Sequence, residues 1–416
     1  LATSRLVASG GATAWAFLVH PLDPEGFIDL DPKMATALAR RAQTRQMMVD
    51  ENDPEILEAL RKKGDQFDKY IKDIGIRPIG EGVFAARGRR TAGTFILVPY
   101  LAERFAEAMV LRSEGYPDLY EEIMGAIVEA ARQAHALGAR VLGLGAFTSI
   151  ISAGGEELVR RLHDIGIDDL IVTSGNTYTA AALVQGALAG CRKMGKDPAV
   201  STVIMYGLGS VGTPASYLLA SRFRRVILVA RNQGKMARLA KDLMAAVDSG
   251  QHEITYTDDL RSVLLQADVV VSAIGAAGTQ GNNLDIHLLA PGAVVVAGDR
   301  PFILPASAPL SRPDCLFLEG AVLEGPFWAS CARFLAMGGE NRAFGCLMET
   351  ILRGADGDSV THATGVKMDP VEIARLIDRA KYYGVRLSGF RWRGRRMHWL
   401  AILVIRVQAI LARRRT

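Results

Sequence analysis

A glycine-rich turn stands between a predicted strand and a predicted helix near the middle of the chain. The strand Val200–Tyr206 runs directly into the sequence GLGSVG, and a helical pattern follows from about residue 211 to residue 222. In such a unit the first glycine of GxGxxG permits a tight turn, the second lets the backbone approach a pyrophosphate, and the third allows close helix packing. Backbone N–H groups at the helix start then face the phosphates. The predicted cofactor-binding residues of this turn are Gly207, Gly209, Ser210, Val211 and Gly212.

The residues after the next strand indicate which dinucleotide binds. A site that prefers NAD carries Asp or Glu at the end of this strand, where the acid holds the ribose 2′-hydroxyl. Here the strand Arg225–Ala230 is followed by Arg231, Asn232 and then Lys235, with no acid. A guanidinium binds phosphate through two parallel hydrogen bonds, so Arg231 with Asn232 favours the 2′-phosphate of NADPH. Two alternatives remain open, namely a glycine turn that binds nothing and an Arg231 that is simply a solvated strand end.

The pattern around the turn predicts an α/β fold with a doubly wound parallel sheet. Apolar strands alternate with helices or short loops after residue 196, as in a Rossmann domain. Forty-two glycines and a hydrophobic fraction of 49% fit an α/β protein with many strand-to-helix turns. The five predicted strands are Val200–Tyr206, Arg225–Ala230, Asp268–Ile274, Ala293–Gly298 and Leu316–Gly320.

Four segments are predicted along the chain. They are an N-terminal α/β substrate-binding domain (1–195), the Rossmann domain (196–335), C-terminal helices that return to the cleft (336–390) and an arginine-rich amphipathic tail (391–416). Within the first segment the sequence predicts a strand at Ala14–His20, a helix that Asp53 caps and Pro54 starts, a hairpin of Gly82–Ala86 with Thr91–Pro99, and a helix from Asp118 to Leu137.

Charge and cysteine content exclude several classes of protein. The net charge is +5, but eight arginines and no acid lie in 391–416, so the first 390 residues carry −3. We therefore expect no nucleic-acid-binding surface on the globular part. The four cysteines are widely spaced, and no His, Asp or Glu spacing indicates a metal site. The chain opens with no leader-like segment and has no apolar run of about 20 residues, so we expect a cytoplasmic protein, with membrane association left open.

Four sequence blocks resemble the long-chain acyl-[acyl-carrier-protein] reductases, a family that makes fatty aldehydes with NADPH. The blocks occur in the family's order between about Thr91 and Gly389, and together they are far more specific than the glycine turn. Tyr178 stands where the family pattern has His, and the turn departs from the common form GATGxxG. The blocks are Leu144-Gly-Ala-Phe-Thr-Ser-Ile-Ile, Thr173-Ser-Gly-Asn-Thr-Tyr-Thr-Ala, Val229-Ala-Arg-Asn-Gln, and Gly320-Ala-Val-Leu-Glu with Asn341-Arg-Ala-Phe-Gly-Cys-Leu-Met-Glu.

The resemblance implies an enzyme of lipid metabolism that reduces a long-chain acyl thioester, carried by acyl-carrier protein or coenzyme A, to a fatty aldehyde. A cysteine thiolate would attack the thioester, and hydride from NADPH would then reduce the thioester intermediate on the enzyme. The family's C-terminal block selects Cys346 as this nucleophile. Ser149, after a predicted strand, and Tyr178, at a predicted helix start, would stabilise the oxyanion and donate a proton. The same helix start also offers the hydroxyls of Ser174 and Thr177. The alternatives are that Ser174 or Thr177 is the N-cap of this helix and that Tyr178 has a packing role.

A helical projection of residues 340–353 adds a geometric argument for Cys346. At 100° per residue the large apolar side chains form one stripe, and Cys346 falls on the opposite side, beside Arg342 and Arg353. Flanking guanidinium groups would favour the thiolate. A small cysteine buried against the Rossmann domain is the alternative, and Cys331 is the next candidate nucleophile.

The tail suggests a second property. Trp399–Leu411 is apolar except for Arg406 and Gln408, and arginines stand on both sides. It is too short to cross a bilayer but suits the interface of an anionic membrane; a docked terminal helix or a poorly ordered extension are the alternatives. Two other functions stay open: a shikimate-dehydrogenase-like NADP oxidoreductase with direct hydride transfer, which would need a Lys/Asp pair, and a non-enzymatic dinucleotide-sensing interaction protein.

Overall fold

The computed structural model describes residues 13–21, 71–247, 250–274, 284–299, 302–332, 334–335, 337–357, 362–365 and 370–414. The helix predicted at Asp53 and Pro54 lies outside these residues.

The strands are β1 (Thr13–Val19), β2 (Arg77–Ala86), β3 (Arg89–Leu97), β4 (Val141–Leu144), β5 (Ile171–Thr173), β6 (Thr202–Tyr206), β7 (Arg225–Val229), β8 (Glu253–Thr257), β9 (Val269–Ser272), β10 (Val294–Ala297), β11 (Leu316–Glu319), β12 (Val322–Glu324), β13 (Phe327–Ala329), β14 (Arg342–Phe344), β15 (Arg386–Leu387), β16 (Arg391–Trp392) and β17 (Arg395–Arg396).

The helices account for much of the remaining chain. They are α1 (Ala102–Ser113), α2 (Asp118–Ala136), α3 (Phe147–Ile151), α4 (Glu156–Asp164), α5 (Asn176–Lys193), α6 (Gly212–Ala220), α7 (Gln233–Ala246), α8 (Ala308–Ser311), α9 (Gly345–Asp356), α10 (Pro370–Tyr382) and α11 (Trp399–Arg413). Contacts divide the described residues into two compact units. The first unit comprises those within 1–174, 327–341 and 353–364, and the second comprises those within 175–326, 342–352 and 365–416.

The first unit is built on a six-stranded mixed sheet in the order β13-β2-β3-β1-β4-β5. Strand β1 is parallel to both β3 and β4, and β4 is parallel to β5. The predicted hairpin is confirmed as β2 and β3, which are joined by Arg87 and Gly88, both at positive φ as a two-residue hairpin turn requires. Trp15 of β1 lies where side chains at Gly82 and Gly93 would stand, so these positions admit only glycine.

The second unit contains a six-stranded parallel sheet in the order β11-β10-β9-β6-β7-β8. Numbered from β6, this is the strand order 6-5-4-1-2-3 of a doubly wound dinucleotide-binding fold, so the predicted fold class is confirmed. All five predicted strands are present in it. Strand β8 was missed because it is a short edge strand whose sequence EITYT is polar at alternate positions, with no buried residue.

The units follow different boundaries from the predicted domains. Helix α5 was assigned to the first domain, but it packs on the second sheet, where Gly186 and Gly190 lie against Val296 and Val294. Segment 327–341 belongs instead to the first unit, because β13 pairs with β2. Residues 391–396 are part of the second unit, with Trp392 packed on Phe317.

Among the described residues, no helix is both long and apolar enough to cross a membrane. No cluster of three or more His, Cys, Asp or Glu side chains in that part of the chain could hold a metal ion.

Candidate functional site

The glycine turn follows β6 at the carboxyl edge of the second sheet. At each of its three positions a different structural feature accounts for glycine. Gly207 has a φ of +93°, which favours glycine. A Cβ on Gly212 would lie 1.8 Å from the carbonyl oxygen of Gly207, so the start of α6 packs directly on the turn. A Cβ on Gly209 would meet nothing within 4 Å. The turn is therefore closed at its first and third glycines and open at the second, which fits the approach of a pyrophosphate.

The end of β7 supplies the groups expected near the ribose. Arg231 is exposed just beyond this strand. Asn232 is the N-cap of α7, since its Oδ1 accepts a hydrogen bond of 2.8 Å from the N–H of Lys235. The Nζ of Lys235 donates to the carbonyl oxygen of Leu208, which ties this helix to the glycine turn. Binding of a 2′-phosphate by Arg231 and Asn232 stays a prediction.

Cys346 lies at the same edge of the second sheet. Ala321 is two residues beyond the end of β11, and its carbonyl oxygen accepts a hydrogen bond of 3.0 Å from the N–H of Gly345. Strand β14 pairs with β12 in the register Val322 to Phe344, and α9 begins immediately afterwards. Cys346 is thus held in the first turn of a helix that starts beyond the carboxyl end of β11.

Helix α5 brings a second helix start to Cys346. A Cβ on Gly190, near the end of α5, would lie 2.7 Å from Val294, the first residue of β10, whereas Leu183 contacts Gly298, just past the end of that strand. Gly175, eight residues before Leu183, is therefore about 12 Å further along, beyond the carboxyl edge. A Cβ on Gly175 would lie only 2.3 Å from the Cβ of Cys346. The first turns of α5 and α9 meet there, where the dipoles of both helices favour negative charge.

The predicted surroundings of Cys346 need correction. The projection assumed one helix from residue 340, but residues 342–344 form β14, so Arg342 is not on the helix of Cys346. Arg353 is seven residues further on, about 10 Å along α9. There is no single apolar stripe either, because every residue from 347 to 356 is buried. The dipoles of the two helix starts act at this thiol, and an effect of Arg342 and Arg353 on it stays a prediction.

Burial separates Cys346 from the other three cysteines. None of the four forms a disulfide, and Cys346 alone among them is partly exposed. Burial raises the pKa of Cys315 and of Cys331 to about 12, and it also raises the pKa of Cys191. Since the thiolate is the nucleophile, these three thiols are poor candidates.

Comparisons with known proteins agree with this geometry. The shikimate / quinate 5-dehydrogenase family matches residues 190–286, which contain the glycine turn and the end of β7. The long-chain acyl-[acyl-carrier-protein] reductase of Synechococcus elongatus is 25% identical over 305 residues, covering 72% of this chain and 83% of the relative. The resemblance that the sequence blocks indicated is thus found again over most of the chain.

Solved structures with similar folds are more distant. Quinate dehydrogenase from Corynebacterium glutamicum, in complex with NAD, is 15% identical and matches 61% of this chain and 81% of its own, with a TM-score of 0.32. L-tryptophan dehydrogenase from Nostoc punctiforme is 11% identical. The match covers 98% of this chain and 90% of that dehydrogenase, with a TM-score of 0.38. The chain is an NAD(P)-dependent oxidoreductase that resembles the long-chain acyl-[acyl-carrier-protein] reductases.

Tyr178 of this oxidoreductase is buried in the first turn of α5, with 2% of its surface exposed. Burial raises the pKa of its phenol, which makes proton donation harder. Its proton-donor role stays a prediction, and the burial favours the packing alternative. Neither Ser174 nor Thr177 is the N-cap, because that position is Gly175, at a φ of +68° and with no side-chain cap.

Glu349 does what a capping side chain would do, and sequence reasoning missed it. Its Oε2 accepts a hydrogen bond of 2.8 Å from the N–H of Tyr178, and its side chain is fully buried. Because Glu349 is three residues after Cys346, both lie on the face of α9 that meets α5. No local sequence pattern could have found this bond, because Tyr178 and Glu349 are 171 positions apart.

Ser149 lies in the first unit, whereas Cys346 and Tyr178 lie in the second. It is buried within α3, which follows β4 through Ala146, a residue with a φ of +46°. Its role in holding an oxyanion stays a prediction.

His20, which ends the predicted first strand, is a further residue with a structural role that its sequence neighbours do not indicate. Its Nε2 accepts a hydrogen bond of 3.1 Å from the N–H of Phe147, and its Nδ1 lies 2.9 Å from the carbonyl oxygen of Pro21. Burial lowers its pKa to about 4, so the imidazole is neutral at pH 7. His20 therefore fixes the turn between β4 and α3.

Proposed function

We propose that this oxidoreductase reduces an acyl thioester to an aldehyde with NADPH, through a thioacyl group carried by Cys346. The observation that supports this most is the environment of that thiol. Among four cysteines it is the one partly exposed, and it stands at two helix starts beyond the carboxyl edge of the second sheet. A shikimate-dehydrogenase-like reaction needs no nucleophile, so it gives no reason for this arrangement.

The first chemical step belongs to Cys346. Its thiolate attacks the thioester carbonyl, the new carbon–sulfur bond forms, and the bond to the carrier thiol breaks with release of the carrier as a thiolate. The N–H groups of the first turns of α5 and α9 favour the negative charge on the attacking sulfur. Glu349 holds the start of α5 in place through the N–H of Tyr178.

Bound NADPH would supply the hydride that converts the thioacyl group to a hemithioacetal, which releases the aldehyde and restores the thiol. Of this chain's residues, the glycine turn would hold the pyrophosphate and Arg231 the 2′-phosphate. The related reductase suggests a long-chain acyl group on acyl-carrier protein as substrate, with acyl-coenzyme A as the other carrier.

The purified protein should oxidise NADPH when a long-chain acyl-[acyl-carrier protein] is added, with one aldehyde formed per NADPH consumed. Gas chromatography of the extracted product and absorbance of NADPH measure the two quantities. Shikimate and quinate with NADP⁺ are the matched test of direct hydride transfer. NADP⁺ reduction with either of them, and no aldehyde from the thioester, would establish the alternative instead.

A further inference from the structure

Helix α11 is docked on the second unit by one face only. Ile402 and Ala409 are buried on that face. The guanidinium of Arg406 lies against Gly195, and the Nε of Arg413 donates a hydrogen bond of 3.2 Å to the carbonyl oxygen of Pro291. Gly195 follows the end of α5 and Pro291 precedes β10. The helix therefore runs along the amino-terminal edge of the parallel sheet, opposite the edge that carries the glycine turn and Cys346.

The outward face of α11 is a continuous apolar surface. At 100° per residue its large side chains fill one arc of about 140°. Each of them is between 48% and 65% exposed, which is far more apolar surface than singly scattered hydrophobic residues present. Leu265, which is 70% exposed, lines a groove together with Leu411 and extends this face. The outward face consists of Trp399, Leu400, Leu403, Val404, Val407, Ile410 and Leu411.

Within the tail (391–416), all the arginine and acidic side chains that could surround this face are arginines. Residues 391–416 contain eight arginines and no acid. Arg406 and Arg413 fall beside the apolar arc in the same projection, and both are exposed. A groove at the start of the helix is lined by Lys193 and Arg396 together with Trp399. The surface therefore combines exposed hydrophobic side chains with a rim of cations.

The apolar face and its positively charged rim together indicate what binds to the outward face of α11. A second copy docked face to face would bring the same arginines together, and 391–416 offers no carboxylate to pair with them. An anionic membrane surface supplies both acyl chains for the apolar arc and phosphate groups for the rim.

We propose that α11 lies in the headgroup region of an anionic membrane with its outward face buried and its axis parallel to the surface. The membrane then contacts the second unit at the amino-terminal edge of its sheet. The glycine turn and Cys346, at the carboxyl edge, stay clear of the lipid. Membrane docking and chemistry are thus separable properties of the chain.

Sedimentation of the full-length protein with vesicles tests this. The protein should bind vesicles of phosphatidylcholine mixed with phosphatidylglycerol, and bind pure phosphatidylcholine far less. The triple variant Leu403→Ser, Val407→Ser, Ile410→Ser should lower the apparent affinity by at least tenfold. Arg406→Gln should lower it about fivefold and weaken its dependence on salt. Val110→Ser with Val371→Ser is the matched control, since these apolar residues are 52% and 76% exposed and belong to α1 and α10.

Trp399 provides a second measurement on the same samples. It is 65% exposed, so its fluorescence should shift to the blue on anionic vesicles, and Trp399→Phe should lack this shift. Circular dichroism checks that each variant is folded. Wild-type protein that stays in the supernatant, or a triple variant that binds as wild type does, would overturn the proposal. A wild-type dimer that the triple variant converts to a monomer, without vesicle binding, would assign the face to a second copy.

Discussion

At Gly175 a single missing side chain decides how close two helices come. Its φ is +68°, and a Cβ there would lie 2.2 Å from the Cα of Cys346. Gly175→Ala should therefore lower the free energy of unfolding by more than about 2 kcal/mol, since both backbone strain and overlap oppose it. It should also change the rate at which Cys346 reacts with an alkylating reagent, because the two helix starts must separate.

Gly88→Ala is the control for this prediction. Gly88 has a similar φ of +76°, but a Cβ there would meet nothing within 4 Å. Its cost should be limited to the backbone strain, about 1–2 kcal/mol, with no effect on the thiol. Chemical denaturation gives the free energies. Equal losses for the two variants would mean that the contact with Cys346 is not tight.

The role proposed for Arg231 is to set the preference between the two dinucleotides. Arg231→Ala should raise the KM for NADPH by the equivalent of roughly 1.5–3 kcal/mol, because a charge-assisted contact to the 2′-phosphate is lost, and should leave NADH almost unchanged. Steady-state kinetics with each cofactor provide the comparison. A similar loss with both cofactors would remove this residue from 2′-phosphate recognition.

His20 makes stability depend on pH. Its pKa is about 4 in the folded protein against 6.5 for an unperturbed histidine, so folding excludes a proton that the unfolded chain binds. The resulting stability is fully present above pH 6.5 and is lost as the pH falls towards 4. At pH 4.5 the loss should be about 2–3 kcal/mol. Urea denaturation of wild type and His20→Gln at pH 7.5 and 4.5 measures it; an unchanged pH dependence in the variant would refute the assignment.

Local patterns determined which residues could be predicted. The strand, the glycine turn and the helix after it were located correctly because they are consecutive in sequence, while the binding roles of the three glycines stay a prediction. The bond from Tyr178 to Glu349 joins residues 171 positions apart, so no local pattern reveals it. The same holds for His20 and Phe147, which are 127 positions apart.

At the scale of elements, short strands misled the sequence analysis. The helix of Cys346 was started five residues early because β14 is only three residues long and was merged into the helical pattern. Its existence depends on pairing with β12, which is distant in sequence. The apolar parallel strands were found because each is a buried run of four or five residues.

The tail (391–416) also makes contacts with residues distant in sequence, and these contacts lead to a prediction. Trp392 is 8% exposed, its ring centroid lies 5.7 Å from that of Phe317, and its Nε1 donates to the carbonyl oxygen of Ala306. Deleting 391–416 removes this side chain as well as α11. We expect that deletion to cost about 3–5 kcal/mol, whereas deleting 398–416 keeps the hairpin of β16 and β17 and should cost less. Thermal unfolding of the two truncations decides it; equal melting temperatures would contradict the packing of Trp392.

At the scale of the whole molecule, the chain crosses between its two units several times. Segments 327–341 and 353–364 return to the first unit, whereas 342–352 belongs to the second. Sequence analysis placed boundaries at residues 195, 335 and 390 instead, because long-range pairings such as β13 with β2 leave no local signature. Cys346 therefore lies on a short segment of the second unit, between two segments of the first.

Thioacylation of Cys346 is the central claim, and intact-mass spectrometry tests it most directly. The protein is mixed with a long-chain acyl-[acyl-carrier protein] while NADPH is withheld, so that the intermediate cannot be reduced. Wild type and Cys331→Ser should each gain the mass of one acyl group, because Cys331 is buried and its pKa is raised to about 12. Cys346→Ser should gain none. An acyl adduct that persists in Cys346→Ser, or aldehyde formed by that variant at the wild-type rate, would contradict the account.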